Sequence, residues 1–296
     1  MKYLGSILSV VLLALCSCTS DDLSEDALEQ GIKSFTVDIP APQLQANEFD
    51  FSYQSRTYGQ FVEKQLLMYW SGDEKIEVYP YNGRSLDFQM AEGWTPRKAS
   101  FESEAWALKD DYSYFAFYPF FERHEYATPA KVANISYEGQ EVNSVYGATS
   151  KFVDIADFDY QYAMETRASS GRVNFELKRV GSILLIQVPL PKANVEYTKA
   201  GLKSNNDPFI ATAALLINNG TVTPLTTSNT LEISLNNIKV SNVNVKPVLS
   251  VMLCPQDFSG KTLNLILTDE NGLETVYKVN GYNFKANECN KLSAYL

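Results

Sequence analysis

A single histidine, His124, stands in the 296-residue chain, so any Ser-His-Asp or Cys-His catalytic arrangement would have to use it. It lies in Phe121-Glu122-Arg123-His124-Glu125, a charged stretch that reads as a solvated loop. No Gly-x-Ser-x-Gly elbow presents a nucleophile. The chain also lacks the Gly-x-x-x-x-Gly-Lys and Gly-x-Gly-x-x-Gly loops that cradle phosphates. Two isolated cysteines, Cys254 and Cys289, and one histidine do not make a metal site. Those two thiols either pair in an oxidising compartment or lie buried as small apolar groups, and the sequence does not choose between the two. With 35 acidic residues, a glycosidase-type carboxylate pair would be a matter of space rather than spacing, and nothing marks one out. Asp110-Asp111 and Asp157-Phe158-Asp159 read as exposed turns and strand ends. The expectation is a protein that is not an enzyme and carries no cofactor or metal.

Cys18 is the residue with the clearest chemistry. Met1-Lys2 is a short positive start, and Leu4 to Leu15 is an uncharged apolar run. That run is shorter than the about 20 residues a membrane-spanning helix needs, and it fits a signal-peptide core. A lipoprotein signal requires a small residue before the cysteine that takes the lipid. Ser17 before Cys18 meets this requirement, whereas Leu15 before Cys16 does not. Residues 1–17 are therefore expected to be a lipoprotein signal peptide. The polar, acidic stretch 18–31 is expected to be a tether, having little to bury.

The elements that would follow are strands. Phe35, Val37 and Ile39 alternate with polar neighbours, as do Leu86, Phe88 and Met90, Val173, Phe175 and Leu177, and Leu231, Ile233 and Leu235. This period of two lets each run cover one face of a core. Tyr112–Phe120 and Ile183–Val188 are apolar on both parities and suit strands covered on both sides. Asn82-Gly83, Asn219-Gly220, Asn271-Gly272 and Asn280-Gly281 are predicted type I′ hairpin turns. The strongest hairpin joins Thr262–Leu267 to Glu274–Val279. No long amphipathic helix is indicated, so the fold class is all-β. The small, polar Thr166–Gly171 marks the expected boundary between an N-terminal domain, 32–165, and a C-terminal one, 172–296. Tyrosine is abundant, at 18 residues, and aromatic rings can stack on sugars. Tyr112, Tyr114 and Tyr118 nevertheless alternate as core residues of a strand do. The net charge of −10 disfavours nucleic acid as a partner.

Taken in order, these features resemble the fimbrillin-like subunits and adhesins of Bacteroides-type bacteria. The likeness rests first on Cys18 with Thr19-Ser20-Asp21-Asp22 after it. It continues in Ser55-Arg56-Thr57 and in Met68-Tyr69-Trp70-Ser71-Gly72-Asp73-Glu74-Lys75-Ile76-Glu77-Val78-Tyr79, one residue longer than the family's stretch. Tyr112–Phe120 resembles its aromatic strand ending in Tyr-Pro-aromatic. Asp159–Ala163 followed by Val173–Val180 resembles the start of its second domain, with Glu176-Leu177-Lys178 in place of the family's Phe-x-His.

The resemblance implies two tandem Greek-key β-sandwich domains, the second transthyretin-like. It implies an outer-membrane, cell-surface lipoprotein anchored in lipid through Cys18. Such a protein would be processed by a trypsin-like Arg/Lys-specific protease and built into a fimbrium with other fimbrial subunits. Lys33–Ile39 would be the removable strand, with Arg56 the first candidate for cleavage and Lys33 the second. The competing reading is a surface glycan-binding lipoprotein that captures polysaccharide as a monomer. A glycoside hydrolase is a third reading and would need two converging carboxylates.

Overall fold

In a computed structural model of the chain, the described residues are 31–48, 60–62, 65–67, 70, 74–81, 85–91, 98–120, 132–142, 155, 158–190, 192–242, 244 and 246–296. The signal segment with Cys18, and also Arg56, Asn82-Gly83, His124 and Asp157, lie outside them. Among the described residues every regular element is a strand, which bears out the all-β class.

The largest sheet has eight strands. From one edge to the other they are β12 (Asn174–Glu176), β1 (Ser34–Asp38), β7 (Lys98–Glu102), β6 (Leu86–Met90), β5 (Lys75–Pro80), β8 (Ser113–Tyr118), β11 (Gln161–Arg167) and β13 (Lys178–Arg179). A five-stranded sheet runs β10 (Gln140–Val142), β18 (Thr230–Lys239), β15 (Glu196–Lys203), β21 (Thr262–Asp269) and β22 (Glu274–Asn280). A four-stranded sheet runs β19 (Val248–Leu253), β14 (Ser182–Gln187), β24 (Glu288–Ser293) and β2 (Gln43–Asn47). A three-stranded sheet joins β17 (Thr221–Ser228), β16 (Phe209–Leu216) and β9 (Val132–Ser136). Two short pairs, β3 (Gln60–Val62) with β4 (Gln65–Leu67) and β20 (Gln256–Asp257) with β23 (Asn283–Phe284), complete the set.

The alternating runs place their apolar parity inward. Leu86, Phe88 and Met90 are buried while Asp87 and Gln89 are exposed, and Leu231, Ile233 and Leu235 behave alike. The two-parity runs do what their composition requires. β14 sends Ile183 and Leu185 into one apolar core and Leu184 and Ile186 into a second. β19 divides in the same way, with Met252 in the first core and Val251 and Leu253 in the second. The four-stranded sheet is thus a middle layer with an apolar core on each face, the stacking expected when both faces of a sheet must be covered. Tyr114 and Tyr118 are buried as expected. Tyr112 is not: it sits just before β8 begins and is 54% exposed.

Turn chemistry departs from the sequence reading. At Asn219-Gly220 and Asn271-Gly272 only the glycine has positive φ, at 74° and 78°. The loops are longer than two residues, and side-chain oxygens cap them locally: Asp269 Oδ1 accepts from the Asn271 and Leu273 amides, each at 2.9 Å. Asn219 Oδ1 accepts from the Thr221 amide at 2.9 Å. Asn280-Gly281 has no positive φ; Asn280 ends β22, and the chain leads on toward β23 rather than closing a two-residue hairpin. Among the described residues, the pair with both residues left-handed, at 54° and 71°, is Ser170-Gly171, bracketed by the Ser169–Arg172 bridge. This is the φ pattern of a type I′ turn.

The segment expected as a domain boundary, Thr166–Gly171, is accordingly a tight reversal between two strands of the large sheet. Thr166 and Arg167 belong to β11, Ala168 is fully buried, and β12 returns to pair with β1. Strands also cross between the two halves of the sequence. β9 pairs with β16, and β10 runs parallel to β18.

Candidate functional site

Residues 32–48 run across both halves of the fold. β1 lies between β7 and β12, antiparallel to the first and parallel to the second. Val37 faces Ala99 on one side and Phe175 on the other. Its inward row is Phe35, Val37 and Ile39, and Val37 is 1% exposed. The Phe35 ring lies 4.9 Å from Phe88 and 5.1 Å edge-on to Phe175, measured between centroids. Each such side chain contributes roughly 1.5–3 kcal/mol on burial. The backbone of β1 adds a ladder on both of its edges. Taking this strand out would leave a slot one strand wide, with unmet N–H and C=O groups on each wall and an apolar floor.

Ile39-Pro40-Ala41-Pro42 carries the chain to the four-stranded sheet, where β2 is an edge strand parallel to β24. The crossing is held by Arg179. Its Nη1 donates to the Pro40 carbonyl at 2.9 Å and to Asn287 Oδ1 at 3.0 Å. Its Nε and Nη2 grip both oxygens of Asp159 at 2.5 and 2.9 Å, and Gln161 Nε2 donates to the same carboxylate at 2.8 Å. Arg179 is 1% exposed and Asp159 3%. Asp159, read from sequence as an exposed strand end, is instead one half of a buried ion pair. Burial of both charges is tolerable because the fork geometry meets both oxygens and Nη1 is bonded twice more, to Pro40 and Asn287.

Beyond β2 the chain is clasped once more. The Glu48 amide donates to the Lys291 carbonyl at 2.9 Å. Glu48 Oε1 accepts from Asn280 Nδ2 at 3.0 Å and from the Tyr282 hydroxyl at 2.6 Å, and Oε2 accepts from the Ser293 amide at 2.6 Å. Tyr282 feels this contact: its bond to the Glu48 carboxylate pushes the phenol pKa up. Neither Glu48 nor Arg179 was singled out by the sequence reading. Arg179 stands within Lys178-Arg179-Val180, inside a quoted motif, and an arginine next to an apolar strand was the available signal.

Of the expected site residues, Lys33 is described. It is exposed and immediately precedes β1, with its carbonyl accepting from the Ser103 amide at 3.1 Å. Cys254 and Cys289 are both buried free thiols, and burial pushes each pKa up to about 12. Among the described residues no group of three or more His, Cys, Asp or Glu is placed to hold a metal ion. Trp70, from the Met68–Tyr79 stretch, is a core residue set edge-on to Phe101 and Tyr118, each at 5.1 Å.

No protein-family model matches the chain. No curated protein matches it either. Among solved structures it superimposes on a candidate cell adhesion protein from Bacteroides ovatus with a TM-score of 0.53 and 13% identity, covering 80% of this chain and 88% of that one. A similar candidate from Bacteroides fragilis gives 0.46 and 10%, covering 89% and 92%. A fimbrial protein from Bacteroides ovatus gives 0.36 and 12%, covering 77% and 45%. The first of these three likenesses is one of fold. The chain has the all-β, multi-sheet fold of that Bacteroides ovatus cell adhesion candidate.

Proposed function

We propose that this chain is a fimbrial subunit or cell-adhesion lipoprotein of the bacterial surface, built into a polymer by strand exchange after proteolysis. The observation that carries the reading is the placement of residues 32–48. One continuous segment near the N-terminus supplies an inward apolar row to the large sheet and an edge strand to the four-stranded sheet. Its departure would leave two strand-sized acceptor sites, and an extended segment from a neighbouring subunit would satisfy the same backbone groups.

The order of elements separates the two processing candidates. Cleavage at Lys33 precedes Ser34, so β1 would stay in its sheet. Cleavage at Arg56 follows β2, so both strands would be released together. Processing falls at Arg56 in this reading, because only a cut beyond β2 frees both strands. In this reading the lipid on Cys18 holds the precursor in the outer membrane, and the protein itself performs no catalysis.

The test is to treat purified full-length protein with an Arg-specific protease and look for ladders that withstand mild denaturant. Wild type should form them, while the Arg56→Ala protein should stay full length and monomeric. Ladders from the Arg56→Ala protein would reject Arg56. Cleavage without ladders, together with soluble polysaccharide bound by the monomer, would favour the glycan-capture reading.

A further inference from the structure

The clasp on Glu48 is selective in a way that a backbone ladder is not. Three donors converge on one carboxylate: Asn280 Nδ2, the Tyr282 hydroxyl and the Ser293 amide. They come from the end of β22, from the segment just after it and from the last residue of β24. The Ser293 N–H cannot turn round to accept, and the Asn280 amide nitrogen and Tyr282 hydroxyl are both presented as donors. A carboxylate offers acceptors only and has two oxygens for three donors. A glutamine in its place would offer one oxygen and set an N–H₂ group against a donor. The contact sits one residue past β2, so it also fixes how far along β24 the bound strand has advanced. β2 itself has a register irregularity between Leu44 and Asn47, which makes a terminal fixing point useful.

We propose that Asn280, Tyr282 and the Ser293 amide form a carboxylate receptor that selects, in the segment replacing β2, an extended strand with an acidic side chain at the Glu48 position. The partner class is a strand of a neighbouring subunit, running parallel to β24 and ending in Asp or Glu at that point. The proposal rests on the strand-exchange reading and adds to it a rule about which donor segments fit. Glu48 is then the resident occupant, which keeps the receptor closed until the segment is cut.

The experiment uses the full chain nicked by an Arg-specific protease, with the uncut Arg56→Ala chain as control. Two fluorescent synthetic peptides are offered: residues 32–48 as they stand, and the same peptide with Glu48→Gln. Replacing charge-assisted bonds by a neutral, partly mismatched amide should weaken uptake about tenfold. In a nicked Tyr282→Phe chain the gap between the two peptides should narrow. Equal affinity of both peptides for the wild-type nicked chain would overturn the receptor while leaving strand exchange intact. If neither peptide enters the nicked chain, strand exchange itself fails and the receptor falls with it.

Discussion

Arg179 shows how much one side chain can tie together. Its partners are Asp159, 20 residues away in sequence, Asn287 at 108 and Pro40 at 139. Arg179→Met should cost roughly 3–5 kcal/mol, because it strands a buried carboxylate, and urea unfolding would read this as a lower midpoint. The double change Arg179→Met with Asp159→Leu should recover most of that loss, since no unpaired charge remains. Glu77 makes a different case. Burial on β5 raises its pKa from 4.5 to about 7, against the lowering effect of the bond from the Tyr79 hydroxyl, with the Asp87 carboxylate opposite adding to the rise. Between those two values the folded state holds a proton that the unfolded state has lost, so stability falls as pH rises from 4.5 to 7 and then levels off. Glu77→Gln should flatten that fall, worth at most about 3 kcal/mol, in unfolding curves recorded across this range. Neither role was legible in the sequence. A carboxylate looks alike in a turn and in a core until the residues that cover it are known.

At the scale of elements the sequence was far more informative. The alternation in Phe35-Thr36-Val37 and Leu86–Met90 specified which face turns inward, and the two-parity run at Ile183 marked a strand with cores on both sides. A period of two survives into the fold because each residue reports its own burial. Turn type did not survive as well, because it depends on loop length, which the residues on either side set jointly. Asn219-Gly220 illustrates this. Only Gly220 is left-handed, and a Cβ there would collide with the Tyr162 side chain from β11. Gly220→Ala should therefore destabilise by more than about 1 kcal/mol, seen as a lower midpoint of thermal unfolding. Within β1, Phe35→Ala should cost about 3–5 kcal/mol for the lost ring and the cavity left behind. If β1 is the strand that leaves, the same change should hasten ladder formation after proteolysis. An unchanged rate would show that release of β1 does not limit assembly.

For the whole molecule, the division of the sequence near Thr166 does not divide the packing. The first apolar core draws on Phe35 and Phe101 of the large sheet, Ile135 and Leu215 of the three-stranded sheet, and Ile183 and Cys289 of the four-stranded sheet. All three tryptophans, Trp70, Trp94 and Trp106, lie in the first half of the sequence. Their fluorescence should nonetheless change at the same urea concentration as the far-UV signal of the entire chain. Two separated transitions would mean that the halves are only loosely coupled. Long-range pairing of this kind was hidden in the sequence, since nothing local in Gln140–Val142 announces a partner at Ile233–Leu235. The parallel pairing of β2 with β24 has a mechanical consequence. Tension applied between Pro42, just before β2, and Leu296 pulls β2 toward its start and β24 toward its end. Because the two strands point the same way, they are dragged past each other along their length. Their hydrogen bonds are stressed together rather than peeled one by one as in an antiparallel hairpin gripped at its open end. Single-molecule stretching should find this seam yielding at higher force than the β21–β22 hairpin pulled from its open end. A seam built this way grips hardest when its two strands are tugged along their length.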